Sequence, residues 1–215
     1  MLEDLTREQL KNQFKTNKTL RFVTIGVGAL VIVILGYFAY RQFIWKPANE
    51  KSMDSYWIGL NYAAKDSTEV AIDELNSAVK KYDGKIGGEV AQFVYARQLM
   101  NKGEFKKALD ELEGVKLNDT YTKVMCVGLQ ADCLSEMEKY EDAASRYFEA
   151  AEMDDNDLTT PLYLWKAGLC AEEINNFDKA TEFYQRIKDN YAGFASKKQI
   201  DKYLARASSK ITTKK

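Results

Sequence analysis

The sequence FKKALDEL at residues 105–112 indicates the fold, because the chain repeats it. It recurs as YEDAASRY at residues 140–147 and as FDKATEFY at residues 177–184, and the alanines of successive copies lie 35 and 37 residues apart. A weaker copy, AIDEL at residues 71–75, lacks the leading aromatic residue. Each of the three full copies places an aromatic residue, an alanine and a large apolar residue at helical spacing. Repetition at this period is typical of stacked helical hairpins.

Small residues at a fixed distance from the repeated alanines support this interpretation. Twelve positions before them stand Gly59, Ala96, Ala131 and Gly168. Two helices that pack 8–10 Å apart need small residues at their crossing. The chain contains only two prolines and is rich in good helix formers, and no long run alternates apolar and polar residues. The sequence therefore predicts an all-α fold whose hairpins are stable only when stacked.

The pattern resembles the tetratricopeptide repeat, a helix-turn-helix unit of about 34 residues. The resemblance covers residues 52–193 and implies an α-solenoid of about four hairpins. Residues 194–210 carry apolar side chains on one face, and they are predicted to form a C-terminal capping helix. The last residues, 211–215, are predicted to be disordered.

The chain also contains an apolar segment near its start. Residues 22–40 include no charged side chain, and as a helix they would span roughly 28 Å, close to the thickness of a bilayer core. A secretory signal peptide has a shorter apolar core that is followed by small residues, whereas this segment leads into the bulky, basic residues 41–46. We therefore predict a transmembrane helix at residues 22–45, which contacts the lipid bilayer, and a linker at residues 46–51.

Charges beside the apolar segment predict its orientation. Residues 1–21 form a short tail with five basic residues, and residues 41–51 contain three. Basic flanks remain in the cytoplasm, so the bias favours a cytoplasmic amino terminus and an array on the other side. In a bacterium this predicts a single-pass protein of the inner membrane with a periplasmic domain. Thr24 and Gly28 form a small-x-x-x-small pair, which favours association between copies of the chain.

Composition argues against several classes of function. The chain has no histidine, the residue most often used as a general base and metal ligand. Its 31 basic and 32 acidic residues give no surplus for binding nucleic acid. We therefore predict no enzymatic activity, cofactor, metal site or nucleic-acid partner. The three cysteines are expected to be small buried residues, and only Cys133 and Cys170 form a pair worth testing for a disulfide.

The resemblance also implies where proteins would bind, because the first helix of each unit lines the concave side of such an array. Carried over unit by unit, its groove positions give Tyr56, Leu60, Phe93, Arg97, Met100, Asn101, Asp132, Glu136, Trp165, Leu169, Glu172 and Glu173. Some members hold a terminal carboxylate with a lysine, asparagine and arginine clamp. The first positions here are tyrosine, leucine, phenylalanine and arginine, which argues against that clamp.

Two alternatives apply to these groove residues. Tyr56, Phe93 and Trp165 would also be explained if they packed against neighbouring helices or the capping helix. The carboxylates of the third and fourth units could be read as an acid–base pair, but a solvated helix face explains them better.

The overall plan is similar to that of the YfgM-like family of bacterial inner-membrane proteins. That resemblance implies an ancillary protein of the Sec translocon that cooperates with periplasmic folding factors or client polypeptides. Our first hypothesis is a membrane-anchored adaptor for protein–protein interaction, with chaperone-associated partners. The alternative is a structural subunit of a larger membrane or envelope-assembly complex.

Overall fold

The computed structural model describes residues 14–213, so most of the predicted basic tail at residues 1–21 lies outside the described residues. Every regular element within the described range is a helix. The prediction of an all-α fold is confirmed: helical hairpins pack in a solenoid-like manner, and one long apolar helix lies near the amino terminus. The chain divides into two compact units, Met1–Glu50 and Lys51–Lys215.

The first unit is dominated by helix α1, Lys18–Tyr40. The side chain of Asn17 caps it by accepting a hydrogen bond from the backbone N–H of Leu20 at 3.1 Å. None of the helix is buried. The helical stretch Lys18–Ala63, of which α1 is the first part, contains a window long and apolar enough to cross a membrane, as judged by length and composition.

A widened turn separates α1 from the next helix. Arg41–Trp45 is π-helical, and the backbone N–H of Lys46 bonds to the carbonyl of Arg41, five residues back. Helix α2, Lys46–Ala63, follows at once, so the predicted linker at residues 46–51 is helical. We attribute the widened turn to Pro47, which has no N–H to donate and whose ring disturbs the preceding turn.

The second unit contains four hairpins built from the part of α2 beyond Glu50 and from helices α3 to α9. After α2 these helices are α3 Thr68–Lys81, α4 Ile86–Asn101, α5 Phe105–Gly114, α6 Thr120–Glu136, α7 Tyr140–Met153, α8 Thr159–Glu173 and α9 Phe177–Asn190. From α3 to α9 each helix packs on the next in the chain. Helix α2 contacts α3 where Gly59 faces Leu75. This sequential packing is the arrangement that the repeat period predicts.

The residues predicted at the helix crossings are buried. Because each is an alanine or a glycine, the neighbouring helix can approach closely. These residues are Gly59, Ala71, Ala96, Ala108, Ala131, Ala143, Gly168 and Ala180. A Cβ at Gly168 would lie only 2.4 Å from the Tyr184 ring. Small residues are therefore required there by contact with the second helix of the same hairpin.

The turn inside each hairpin repeats with the same backbone geometry. Asp66, Gly103, Glu138 and Asn175 have positive φ angles of 55°, 81°, 59° and 57°. In each turn the N–H of this residue donates a hydrogen bond to the carbonyl three residues back. The N–H of the next residue donates to the carbonyl five residues back. This pair of bonds satisfies carbonyls at the end of the first helix. The weak first copy is therefore a complete structural repeat, although its sequence lacks the aromatic residue.

Replacing Glu138 with glycine should stabilise the protein by about 0.5–1 kcal/mol. Its φ of 59° lies in the left-handed region, which costs a side chain with a Cβ roughly 1–2 kcal/mol, partly offset by the greater freedom of glycine in the unfolded chain. Chemical denaturation of the detergent-solubilised chain measures the difference. Glu141→Gly, inside the first turn of α7, is the control and should destabilise; a Glu138→Gly variant that also destabilises would contradict this explanation.

The carboxyl end differs from the single predicted capping helix at residues 194–210. It consists of α10, Ala192–Lys198, and α11, Ile200–Thr213, separated by Gln199 in a left-handed conformation with φ 56°. Helix α11 packs on α9 and buries Ile200 and Ala207. It continues into the region predicted to be disordered, because Ile211 extends the same apolar stripe by one turn.

Candidate protein-binding cleft

A cleft of about 570 Å³ opens on the side of the array formed by the first helices of the second, third and fourth hairpins. Its walls come from α4, α6 and α8, with contributions from α5 and α7. The residues that line it are Met100, Asn101, Phe105, Asp132, Ser135, Glu136, Tyr147, Trp165, Lys166, Leu169 and Cys170. Large apolar side chains and charged groups thus share one concave surface.

Aspartate 132 is the centre of the polar part of this cleft. Lys166 donates a hydrogen bond from Nζ to Asp132 Oδ1 at 2.6 Å, and the Tyr147 hydroxyl donates to the same oxygen. The Lys166 ammonium also lies 5.3 Å from the centre of the Tyr147 ring, within cation–π distance. One carboxylate, one ammonium and one aromatic face therefore form a compact cluster.

The repeat pattern explains why Tyr147 can hold Asp132. Tyr147 is the final residue of the motif copy at residues 140–147, it is only 4% exposed, and its ring stacks on Tyr163 at 6.2 Å. Tyr163 in turn covers Gly128, where an added Cβ would lie 2.2 Å from the ring. Burial, reinforced by the Asp132 charge, raises the pKa of the Tyr147 phenol. The hydroxyl therefore stays protonated and remains a donor.

The cleft brings together six of the twelve residues predicted to line the groove. They are Met100, Asn101, Asp132, Glu136, Trp165 and Leu169. Tyr56 and Leu60 lie on α2, and Phe93 and Arg97 lie earlier on α4, so these four are placed outside the cleft. Tyr56 stacks on Trp57 at 5.2 Å, and Phe93 packs against the apolar cluster of the second hairpin.

Glutamate 172 lies in the packing of the carboxyl end rather than in the cleft. The Arg206 guanidinium on α11 binds both of its oxygens, at 2.7 and 2.8 Å, and the Tyr184 hydroxyl donates to Oε1 at 2.7 Å. Such a bidentate pair fixes geometry. Glu172 and Asp132 are thus each ion-paired with a basic side chain and are not part of a solvated helix face. Glu136 and Glu173, in contrast, are exposed.

Trp165 both lines the groove and packs against the terminal helices, which were the two alternatives considered from the sequence. One part of it lines the cleft. Its ring also meets Tyr203 of α11 edge-on at 5.9 Å, and the Lys198 ammonium of α10 lies 4.1 Å above the ring. The two terminal helices therefore hold the end wall of the cleft in place.

Sequence reasoning missed Phe105, Tyr147, Lys166 and Cys170, which also line the cleft. Phe105 and Tyr147 belong to the second helices, where the motif assigned them only to hairpin packing. Lys166 and Cys170 lie two residues before and after Gly168, between the groove positions taken from the family resemblance. The ion pair with Asp132 depends on tertiary packing, and sequence spacing alone gives no signal for it.

All three cysteines are buried free thiols, including Cys133 and Cys170. Burial raises the pKa of Cys126 to about 11 and that of Cys133 to about 12, and it raises the pKa of Cys170 as well. We therefore expect the folded protein to react with Ellman's reagent at pH 8 at least about 100-fold more slowly than the unfolded protein.

The measurement is a thiol count in the native protein and again in guanidinium chloride. Three thiols should appear after unfolding without a reductant. A count of one in denaturant would instead show a disulfide between two of these residues, and fast native labelling would contradict their burial.

Among the described residues, no group of three or more histidine, cysteine or acidic side chains is arranged to hold a metal ion.

Comparison with known proteins agrees with this geometry. A family model described as a tetratricopeptide repeat matches residues 163–193, which span most of α8 and all of α9. A search of the curated proteins found no match. The match and the all-helical hairpins support a protein of the tetratricopeptide type, and arrays of this repeat generally bind other proteins and are typically non-enzymatic scaffolds.

Proposed function

We propose that the protein is a membrane-anchored adaptor that binds other proteins and catalyses no reaction. The observation that carries the proposal is the cleft, in which Trp165, Leu169 and Met100 lie beside the Asp132–Lys166 pair. Aromatic and aliphatic side chains with polar groups at their edge suit a segment of polypeptide. The apolar stretch of α1 supports the anchor, because none of its side chains is buried by the protein itself.

The proposed topology has three parts. The tail at residues 1–21 lies in the cytoplasm, residues 22–45 cross the inner membrane of a bacterium, and the array at residues 52–193 with its terminal helices lies in the periplasm. The excess of basic residues before the apolar segment supports this orientation. The partners in this arrangement are components of the translocon, periplasmic folding factors or their clients.

Site-specific photo-crosslinking in intact cells tests the adaptor function. A photoreactive amino acid replaces Leu169, which lines the cleft, or Asp110, an exposed residue of α5 that serves as the control. We expect protein adducts from the Leu169 position at several times the yield of the Asp110 position. Equal yields at the two positions, or no adducts at Leu169, would reject the cleft as the binding surface.

Protease accessibility tests the orientation. The array should resist added protease in intact cells and be digested once the outer membrane is opened to form spheroplasts. Protection that persists in spheroplasts would place the array in the cytoplasm and overturn the proposed topology.

A second candidate function is that of a fixed subunit in a larger membrane complex. The exposed apolar side chains of α2 favour it, since Trp57 and Ile58 are each 52% exposed. A fixed subunit would co-purify with its neighbour at constant stoichiometry and would lose it on Trp57→Ala substitution. Heterogeneous adducts confined to Leu169 would favour the adaptor instead.

A further inference from the structure

The Asp132 carboxylate and the Tyr147 ring form a subsite of the cleft that the chain occupies with its own lysine. The Lys166 ammonium lies 2.6 Å from Asp132 Oδ1 and 5.3 Å from the centre of the Tyr147 ring. A carboxylate beside an aromatic face is the environment that a lysine or arginine side chain prefers. The subsite faces the open cleft, because the side chains of Lys166 and Asp132 are 29% and 25% exposed.

The two partners of this ion pair differ in how easily they can leave it. Asp132 is held by the hydroxyl of Tyr147, whose ring is buried against Tyr163. Lys166 has a flexible stem and a partly exposed head, so its ammonium can move into water at low cost. An incoming cation can therefore replace Lys166 and leave Asp132 fully paired.

An incoming anion would meet the opposite situation. A carboxylate that captured Lys166 would leave Asp132 with the Tyr147 hydroxyl alone, and an uncompensated, partly buried charge is costly. Among the cleft-lining residues, two carboxylates, Asp132 and Glu136, face one ammonium, Lys166, which leaves one negative charge. Charge complementarity thus favours a basic ligand and disfavours an acidic one.

The apolar wall defines the rest of the ligand. Met100, Phe105 and Leu169 line the same cleft as the ion pair, and Trp165 adds an aromatic surface. We propose that the cleft binds a segment of a partner protein in which an arginine or lysine stands beside a large apolar side chain. The cation replaces Lys166 at Asp132 and Tyr147, and the apolar side chain contacts Leu169 and Phe105. The inference rests on the proposed adaptor function.

Two pools of short synthetic peptides test the proposal against the full chain in lipid nanodiscs. The pools share leucine and phenylalanine at the flanking positions, and they differ only in a central arginine or glutamate. Fluorescence anisotropy measures binding to each pool. We expect the arginine pool to bind about tenfold more tightly than the glutamate pool, as a partly exposed charge pair allows.

Two variants assign the preference to the subsite. Lys166→Ala should bind the arginine pool several-fold more tightly, because the chain's own cation no longer competes for Asp132. Asp132→Asn should remove the preference for arginine. Lys179→Ala, an exposed lysine of α9, is the matched control and should change neither affinity. A thermal melt confirms that each variant is folded, and Lys166→Ala alone decides the question if Asp132→Asn does not fold.

The outcomes separate this inference from the function on which it rests. Binding of both pools with equal affinity, or weaker binding of arginine by Lys166→Ala, would reject the cation subsite and leave the adaptor function standing. Tighter binding of the glutamate pool would also reject it. A protein that binds neither pool and gives no adducts at Leu169 would reject both proposals.

Discussion

Replacing Gly87 with alanine should cost about 2–3 kcal/mol of unfolding free energy and loosen the packing of the first hairpin on the second. An added Cβ would lie 2.0 Å from the carbonyl oxygen of Ser52 and 2.2 Å from its carbon. These are backbone atoms of α2, so no side chain can rotate away, and the two helices must separate. The separation would also weaken the hydrogen bond from the Gly87 N–H to Ser52 Oγ, which is 3.1 Å long.

Hydrogen exchange is the sharpest measurement of this effect, because a stacked array can lose one end without unfolding as a whole. Exchange should accelerate in α2 and the start of α4 and should be nearly unchanged in α8. Gly193→Ala is the matched control: it lies in α10 with nothing within 4 Å, and should be neutral or slightly stabilising. Equal stability of the Gly87→Ala variant and the wild type would contradict the observed contact.

The sequence predicts the array well because its signals are local. The spacing of the repeated motif predicts the hairpins, and the requirement for small residues at a helix crossing predicts Ala96 and Ala131 as buried. The turns inside the four hairpins are predicted less well, since glycine marks only the one at Gly103. Glu138 adopts the same left-handed backbone with no sequence signal, because the packing of its hairpin determines the turn.

The cleft could be predicted only in part, for a physical reason. First-helix positions such as Met100 and Leu169 follow from the repeat register together with the groove positions that the resemblance to the tetratricopeptide repeat implies. The partners of Asp132 and Glu172 come from other helices, and which carboxylate meets which cation depends on how those helices stack. Glu172 occupies a groove position by register, yet Arg206 of α11 binds it because the carboxyl-terminal helices fold over that end of the array.

The carboxyl end also supports the second large expected effect: Tyr184→Ala should cost about 3–5 kcal/mol. The Tyr184 side chain is fully buried, and its ring packs over Gly168 and against Tyr203 at 5.6 Å. Truncation of such a side chain removes its burial energy and leaves a cavity. Equilibrium denaturation measures the loss, and hydrogen exchange should show that α11 loses protection first.

Tyr184→Phe separates the ring from its hydroxyl. This variant keeps the packing but removes the hydrogen bond to Glu172, so it should cost only about 1–2 kcal/mol, while Arg206 still binds the carboxylate. If the two variants lost equal stability, the hydroxyl rather than the ring would be the main contribution.

Because Tyr203 of α11 also packs on Trp165, release of α11 in Tyr184→Ala should reduce binding at the cleft, and intact binding would show that the end wall forms without α11.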